Sequence, residues 1–316
     1  MNMLVHVLEA IHPQPLARLK ALAEVVDWNQ PGVGDLSQAD AVIVRAAKID
    51  RKMLENSPRL KVIGKHGVGL DAIDLQAAQE LGRKVVFTPN ANLESVAELA
   101  VALMLSAARL IPLGHGQLKL GAYETISPQE LTGTELTGKT VGLVGMGRIG
   151  QRVAAILRGG FQMKALGYDP LCHIDRFKEA EVEKINRLED LLPQADYINI
   201  SVPLSQQTMG LFNHTRLAWC KPGAILVNTA RGGIVDEEAL AEVLKKGPLR
   251  AAASDVFLNE PLSTQSSLLA LPNFIAMPHV GASTEESLIR MGDTVVADVL
   301  RVLSGQEPLF PVPLPA

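Results

Sequence analysis

The sequence predicts an α/β protein built from two doubly wound, parallel-sheet domains. Short apolar, β-branched segments alternate with helix-like segments along the whole chain, which is typical of parallel sheets covered by helices. The alternation occurs in two series, and a long helix-like segment follows each of them. Because the second long helix closes the chain, we expect a first domain that the chain leaves and re-enters. The expected domains are residues 1–95 with 285–316, and residues 96–284.

The first series contains four strand candidates, at residues 4–8, 41–45, 62–65 and 84–88, and helix-like segments at 15–23 and 74–82. A long helix is predicted from residue 92 to residue 109. Its apolar residues recur at the spacing of a buried helix face: Val96, Leu99, Ala100, Leu103, Met104 and Ala107. Residues 112–138 are rich in glycine and lack periodicity, so we expect an irregular arm there.

The second series contains six strand candidates, at residues 140–144, 164–168, 197–202, 224–229, 251–256 and 274–277. A long helix is predicted over residues 284–303, followed by a proline-rich tail. Neither an internal repeat nor a low-complexity segment is evident.

The composition excludes several classes of protein. The 316 residues are 47% hydrophobic and 20% charged, with a net charge of −4, so the basic excess of a nucleic-acid-binding protein is absent. The apolar segments are too short to cross a bilayer, and the N-terminus resembles no signal peptide. The two cysteines fit a reducing cytosol, and the scattered histidines suggest no metal site. We expect a cytoplasmic protein without membrane, nucleic-acid or metal partners.

Residues 145–150 read Gly-Met-Gly-Arg-Ile-Gly, directly after a strand candidate and at the start of a helix-like segment. Gly145 permits a tight turn, Gly147 lets the backbone approach a pyrophosphate, and Gly150 lets helix and strand pack closely. Alone, the pattern is equally compatible with an ordinary turn. Its position between a strand and a helix favours a dinucleotide site, with the phosphates at the helix N-terminus.

The next strand candidate ends at Asp169, 19 residues after Gly150. A carboxylate there can accept hydrogen bonds from the adenosine ribose and repels a 2′-phosphate. The alternative is that Asp169 only starts a turn with Pro170. The spacing favours the cofactor role, and NAD over NADP.

Three later segments each place a polar residue just beyond a buried strand candidate, where a parallel sheet has its ligand crevice. These residues are Arg231, Glu260 and His279. Taken singly, each has a simpler explanation: a surface arginine, a loop glutamate, or a histidine at the end of a strand.

Taken together, the segments resemble the D-isomer-specific 2-hydroxyacid dehydrogenase family, most closely its phosphoglycerate dehydrogenases. The resemblance extends over essentially the whole chain and includes residues 64–71, 95–98, 133–136, 138–140, 227–236, 254–261 and 277–284. It implies a Rossmann NAD-binding domain inserted into a flavodoxin-like substrate domain, with substrate bound in the cleft between them. The chain ends at Ala316, so we expect it to lack the C-terminal regulatory domain of many relatives.

The chemistry of these residue types fits the reduction of a 2-keto acid with NADH. His279 would donate a proton to the carbonyl oxygen, since histidine titrates near neutrality. Glu260 would bind the far ring nitrogen and fix the tautomer. Arg231 would hold the substrate carboxylate through its planar guanidinium.

The resemblance also implies further cofactor contacts, with Asp255 near the nicotinamide carboxamide. The cofactor-binding set is Gly145, Gly147, Arg148, Ile149, Gly150, Asp169, Val202, Pro203, Thr208, Thr229, Ala230, Asp255 and Gly281.

In the first domain, Gly67, Val68 and Gly69 resemble the family's backbone donors for the substrate carboxylate; the alternative is an ordinary turn. Arg45 resembles the arginine near the substrate phosphate of phosphoglycerate dehydrogenases, and Lys65 could add a second cation, although Arg45 could also be a solvated loop charge. His66 could bias the choice of substrate. We expect 3-phosphoglycerate/3-phosphohydroxypyruvate as the substrate pair, with glyoxylate, hydroxypyruvate or another D-2-hydroxy acid as the alternative.

A different class of function is a dinucleotide-sensing scaffold without turnover. Such a protein would carry added interaction segments or a degraded catalytic set, and neither is evident in the sequence. In the family, the region of residues 112–138 wraps around a partner subunit, so the resemblance implies a homodimer.

Overall fold

The computed structural model describes residues 3–122, 126 and 128–313. The chain divides into two compact units, residues 1–92 with 282–316 and residues 93–281. Within the described residues each unit has one sheet, and every pair of its named strands is parallel. The predicted fold class, two doubly wound parallel-sheet domains, is confirmed.

The first unit contains a five-stranded sheet in the order β2-β1-β3-β4-β5, which is the flavodoxin-like order. The strands are β1 (Leu4–Val7), β2 (Glu24–Asp27), β3 (Ala41–Val44), β4 (Val62–Lys65) and β5 (Lys84–Val86). The helices between them are α1 (Pro13–Leu22), α2 (Arg51–Glu55) and α3 (Leu75–Glu80).

The central strands of this sheet are continuous apolar segments because both of their faces are covered. All four residues of β3 are buried, and so are those of β4. The strand β2, by contrast, was absent from the sequence-based expectation. It is an edge strand whose sequence Glu-Val-Val-Asp is only partly buried, so it lacks the apolar signal of its neighbours.

The second unit contains a seven-stranded sheet in the order β12-β11-β10-β9-β6-β7-β8. The strands are β6 (Thr140–Val144), β7 (Lys164–Tyr168), β8 (Glu183–Lys184), β9 (Tyr197–Ile200), β10 (Ile225–Asn228), β11 (Ala251–Ser254) and β12 (Phe274–Ala276). The helices are α4 (Leu93–Ala108), α5 (Ile111–Lys119), α6 (Arg148–Phe161), α7 (Ile174–Glu179), α8 (Leu188–Leu191), α9 (His214–Ala218) and α10 (Glu237–Lys246), with short 3₁₀ turns at Gln129–Leu131 and Leu192–Gln194.

The order of strands reverses between β6 and β9. From β6 the chain builds outward through β7 to β8, and from β9 it builds outward in the other direction to β12. Ligands of open parallel sheets bind at the carboxyl ends of the strands beside such a reversal. The topology therefore places a ligand crevice after Val144 and Ile200, the last residues of the two strands.

The expectation of an irregular arm over residues 112–138 is wrong for its first part, because α5 forms there. Gly114 and Gly116 lie within α5 and lower its helix propensity, and α5 buries none of its residues, so the amphipathic signal was missing. Among its described residues, the remainder of the segment contains only the 3₁₀ turn Gln129–Leu131. Residues 123–125 and 127 lie outside the described part of the chain.

Helix α4 is part of the core of the second unit. Its buried residues include Ala97, Ala100 and Met104, which belong to one apolar cluster with residues of β6 and α6. Within the described residues no single helix is long and apolar enough to span a membrane; α4 and α5, bent by 60°, meet that criterion only as a pair.

The chain re-enters the first unit through α11 (Glu285–Leu303). Val295 and Val299 of α11 pack so closely on β4 that a Cβ at Gly64 would lie 2.7 Å from both side chains. The segment after α11 is held by the buried carboxylate of Asp298, which accepts the N–H groups of Leu309 at 2.8 Å and Phe310 at 2.7 Å.

Candidate active site

The glycine turn after β6 is shaped by contacts that leave no room for side chains. Gly145 has a φ of +101°, and a Cβ there would lie 2.7 Å from the backbone of Ser201, which follows β9. A Cβ at Gly150 would lie 2.1 Å from the carbonyl oxygen of Gly145. These contacts press the start of α6 against the strand ends at the reversal of strand order.

Gly147 differs from its two neighbouring glycines because a Cβ there would meet no described atom within 4 Å. It is the N-cap of α6, and no side chain caps the helix there. The first turn of α6 includes Arg148 and Ile149, and the first N–H groups of an α-helix point out of its N-terminal end. An open surface with helix N–H groups and a positive helix end suits a pyrophosphate.

The carboxylate of Asp169, just after β7, lies beside the glycine turn. It accepts the N–H of Met146 at 2.9 Å, and those of Leu171 at 3.0 Å and Cys172 at 3.1 Å. Asp169 therefore closes a turn with the residues that follow it, and the same carboxylate is fixed next to the glycine turn.

The loop after β9 contains three of the predicted cofactor residues. A Cβ at Gly145 would lie 2.9 Å from Val202. The hydroxyl of Thr208 donates to the carbonyl of Pro203 at 2.6 Å and accepts the N–H of Ser205 at 2.8 Å. Thr208 thus shapes this loop, and Val202 lines the glycine turn.

The loop after β10 carries Thr229, Ala230 and Arg231. The side chain of Asn228 holds it, since its oxygen accepts the N–H of Ala230 and its nitrogen donates to the carbonyl of Arg231, both at 3.0 Å. One guanidinium nitrogen of Arg231 donates to the carbonyl of Ala230 at 2.6 Å. The Thr229 hydroxyl is buried and makes no hydrogen bond within the described residues.

Asp255, directly after β11, is almost fully buried. Burial raises the pKa of its carboxyl group, and the hydrogen bonds that it accepts from two backbone N–H groups partly offset this by lowering the pKa. These are the N–H of Val280 at 2.8 Å and the N–H of Gly281 at 2.7 Å. Asp255 therefore ties the loop after β11 to the loop after β12, which carries His279.

His279 and Glu260 form a directly bonded pair. The Nδ1 atom of His279 lies 2.7 Å from one carboxylate oxygen of Glu260, and the other oxygen accepts the N–H of Phe257 at 2.9 Å. His279 has a φ of +55°, an unusual backbone conformation for a residue other than glycine. Its side chain remains 51% exposed, so the pair is accessible from outside the protein.

The second unit therefore brings its predicted residues to the end of its sheet at which the carboxyl ends of the strands lie. Each lies after the carboxyl end of a parallel strand, either in the loops that follow β6, β7, β9, β10, β11 and β12 or in the first turn of α6. Among the described residues no cluster of histidine, cysteine and acidic side chains is arranged to hold a metal ion.

The six predicted substrate residues of the first unit also lie together, at or just beyond the carboxyl ends of β3 and β4. The ammonium group of Lys65 donates to the carbonyl of Arg45. The N–H of Gly67 donates to the carbonyl of Lys65 at 3.0 Å, so this expected substrate donor is engaged inside the turn. Val68 is exposed, and Gly69 is partly exposed.

Glu9 is a residue of this edge that the sequence interpretation missed. Its carboxylate accepts the N–H groups of Arg45 at 2.6 Å, Ala46 at 2.8 Å and Ala47 at 2.9 Å. Three successive N–H groups that converge on one carboxylate form an anion-binding turn. The available signal was the position of Glu9, an acidic residue just after a predicted strand.

His66 is buried close to the charges of Arg45 and Lys65. Within the part of the chain that the structure describes, neither ring nitrogen makes a hydrogen bond of standard geometry. Burial, followed by the charge of Arg45, lowers the pKa of His66 to about 4. The imidazole is therefore uncharged at neutral pH.

Comparisons with known proteins give consistent results. Residues 101–281 match the family profile described as D-isomer specific 2-hydroxyacid dehydrogenase, NAD binding domain. D-3-phosphoglycerate dehydrogenase of Methanocaldococcus jannaschii is 43% identical over 272 residues, which are 86% of this chain and 51% of that protein. The chain thus spans about half the length of the curated relatives it matches.

Solved structures resemble the whole chain. The TT0316 protein from Thermus thermophilus superposes with a TM-score of 0.90 at 36% identity, covering 98% of this chain and all (100%) of that one. A glyoxylate reductase from Paecilomyes thermophila superposes with a TM-score of 0.86 at 26% identity, covering 99% and 98%.

Proposed function

Since the chain belongs to the D-isomer specific 2-hydroxyacid dehydrogenase family and contains its NAD-binding domain, we propose that it interconverts a D-2-hydroxy acid and the matching 2-keto acid. The observation that carries this proposal is the Glu260–His279 pair, at the sheet edge that also holds the glycine turn. NAD, when bound, supplies or accepts the hydride. The remaining chemistry belongs to residues of the chain.

The glycine turn fits this cofactor. The open surface at Gly147 and the uncapped start of α6 provide a place for the pyrophosphate. Asp169 is fixed beside the turn by the N–H of Met146, and its negative charge favours a ribose with free hydroxyls over one with a 2′-phosphate. We therefore propose NAD rather than NADP as the preferred form.

His279 is proposed to move the proton. Because Nδ1 contacts Glu260, the Nε2 atom is the one left to face a substrate. During reduction, a hydride adds to the carbonyl carbon of the keto acid, and the proton on Nε2 passes to the carbonyl oxygen to give the hydroxyl group. During oxidation both transfers run backward, and Nε2 accepts the proton.

Arg231 is proposed to hold the substrate carboxylate. A guanidinium has five N–H donors in a planar arrangement that matches a carboxylate. The Asn228 side chain fixes the loop on both sides of Ala230, which limits the freedom of Arg231. A positioned cation of this kind also orients the carbonyl group for hydride transfer.

For the substrate we propose 3-phosphoglycerate/3-phosphohydroxypyruvate. Arg45 and Lys65 lie at the carboxyl ends of the neighbouring strands β3 and β4, and the ammonium group of Lys65 contacts the backbone carbonyl of Arg45. Several relatives are named as phosphoglycerate dehydrogenases. A second candidate, an unphosphorylated acid such as glyoxylate or hydroxypyruvate, is favoured by Glu9. Its carboxylate occupies the N–H groups of residues 45–47 and places a negative charge next to Arg45.

We also propose a cytoplasmic homodimer. Helix α5 exposes Ile111 and Leu118, and Leu120 and Ile126 beyond it are exposed as well. Several exposed apolar side chains in one segment are typical of an interface between subunits. Light scattering coupled to gel filtration measures the mass; a monomer at micromolar concentration contradicts the dimer.

The cysteines bear on the proposed compartment. Cys172 and Cys220 are both free thiols, as a reducing compartment favours.

The decisive experiment is a scan of NADH and NADPH oxidation with 3-phosphohydroxypyruvate, hydroxypyruvate, glyoxylate, pyruvate and oxaloacetate. We expect NADH-dependent turnover with a preference for the phosphorylated acid. In Arg45→Ala, KM for that acid should rise at least about tenfold while KM for glyoxylate stays within about twofold, since one charge-assisted hydrogen bond is lost. Arg51→Ala removes a surface cation that is paired with Glu80 and serves as the control.

Each outcome decides a separate part of the proposal. Turnover of an unphosphorylated acid alone keeps the chemistry and replaces the substrate. Equal effects of Arg45→Ala on both acids refute its phosphate role. NADH binding without any turnover favours a dinucleotide-sensing scaffold.

A further inference from the structure

Few apolar side chains of the loop that carries Glu260 are buried. Val256 and Phe257 are buried, but residues 258–261 are all exposed, and Leu258 is 62% exposed. Apolar burial therefore does not fix the part of the loop that holds the catalytic carboxylate. Hydrogen bonds and backbone contacts must do so.

Besides the bond between Glu260 and His279, the described residues supply at least three such restraints. The N–H of Phe257 binds the Glu260 carboxylate itself at 2.9 Å. A Cβ at Gly232 would lie 1.9 Å from the backbone of Phe257, so the loop after β10 supports the chain just before the exposed part. The third restraint comes from outside both loops: the carboxylate of Glu237 accepts the N–H of Leu258 at 2.6 Å.

Glu237 lies on a helix that is capped and packed on the core of the second unit. It is the first residue of α10, whose N-cap Asp236 accepts the N–H groups of Glu238 and Ala239. The helix buries its face from Ala239 to Leu244 in the core of the second unit. The hydrogen bond between Glu237 and Leu258 therefore connects an exposed loop to a helix that is packed on the core.

We propose that Glu237 is a positioning residue for the Glu260–His279 pair, an inference that rests on the proposed function. It acts through Leu258: by fixing that N–H, it fixes the start of the exposed turn that places Glu260 next to Nδ1 of His279. A carboxylate suits this task because a charged acceptor makes a stronger hydrogen bond to an N–H than a neutral one.

A simpler role for Glu237 is the general stabilisation of a helix N-terminus by a negative charge. Glu238 provides the matched comparison. It lies in the same first turn of α10, carries the same charge and is exposed. A role limited to the helix predicts the same effect from either residue, whereas the positioning role is confined to Glu237.

The test uses the full chain with NADH and the best keto acid of the scan. Glu237→Ala should lower kcat about tenfold, the order expected for one hydrogen bond to a charged group, with KM for NADH within about twofold. Glu237→Gln retains an acceptor oxygen and should recover most of the loss. Glu238→Ala should match the wild type.

A double-mutant cycle identifies the route of the effect. If Glu237 acts through Glu260, the variant Glu237→Ala/Glu260→Gln should be no slower than Glu260→Gln alone. Additive losses overturn the inference while Glu260→Gln still tests the proposed function by itself. A loss in Glu238→Ala equal to that in Glu237→Ala overturns it as well.

A measurement without turnover separates the two proposals completely. With ¹⁵N-labelled histidine, the ring signals of His279, assigned from a His279→Asn sample, report its bond to Glu260. Glu237→Ala should shift these signals and Glu238→Ala should not. Shifted signals in a chain without keto-acid turnover refute the proposed function and keep the positioning role; unshifted signals refute the positioning role.

Discussion

Replacing Gly147 by alanine tests the cofactor site without disturbing the fold. The backbone at Gly147 has φ −69° and ψ −172°, a conformation open to alanine. A Cβ there would meet no described atom within 4 Å. The unfolded chain also loses some freedom, so we expect the free energy of unfolding to stay the same or rise by about 0.4–1 kcal/mol.

Binding of NADH should respond very differently. If the pyrophosphate packs against Gly147, the new methyl group occupies the space that the phosphates need. Inserting a methyl group into a packed interface costs about 1–3 kcal/mol. Because about 1.4 kcal/mol corresponds to a factor of ten, the Kd of NADH should rise roughly 5- to 150-fold.

The assay is a fluorescence titration with NADH, combined with urea unfolding of each variant. Gly159→Ala is the matched control, since Gly159 lies on the same helix and a Cβ there also meets nothing within 4 Å. Alanine favours the helix by about 1 kcal/mol, so this variant should be slightly more stable and bind NADH as the wild type does. A Gly147→Ala protein with wild-type affinity for NADH would refute the placement of the pyrophosphate.

Three further predictions concern single side chains. The pKa of His66 is lowered to about 4 in the folded protein, so the unfolded chain takes up this proton first as the pH falls. The free energy of unfolding should therefore stay constant above pH 6.5 and decline by about 3 kcal/mol toward pH 4. In urea unfolding, His66→Phe should remove that decline, and a decline that persists must come from another group. Asp298→Ala removes the acceptor of two N–H groups and should lower the free energy of unfolding by about 3 kcal/mol, whereas a loss below about 1 kcal/mol contradicts this role. Asp169→Ala should lower the ratio of kcat/KM for NADH to that for NADPH about tenfold or more; an unchanged ratio leaves Asp169 only the turn with Pro170.

Much of the fold was predictable because buried parallel strands are continuous apolar segments. Strands such as β3 and β6 stand out in the sequence for this reason. The edge strands β2 and β8 do not, since Glu24, Asp27 and Glu183 interrupt their apolar pattern. The helix α5 was hidden by its glycines and by the absence of a buried face.

The location of the candidate site was predictable for a topological reason. In a parallel sheet the carboxyl ends of all strands lie at the same end of the sheet, so residues that follow neighbouring strands come close together. Gly145, Arg231 and His279 are separated in sequence but follow β6, β10 and β12. Knowing which residues end strands was therefore sufficient to group them.

The hydrogen bonds that fix the site geometry were not predictable in this way. Glu9 binds N–H groups 36 to 38 positions later in the chain, and Glu237 binds one that is 21 positions later. In both cases, an acidic residue after one strand or at the start of a helix caps the loop of a neighbouring strand. Neither residue lies in a recognisable motif, and both look like solvated charges in the sequence. Acidic residues at these places in a parallel sheet are therefore candidates for loop positioning whenever the neighbouring loop holds a predicted catalytic or substrate-binding residue.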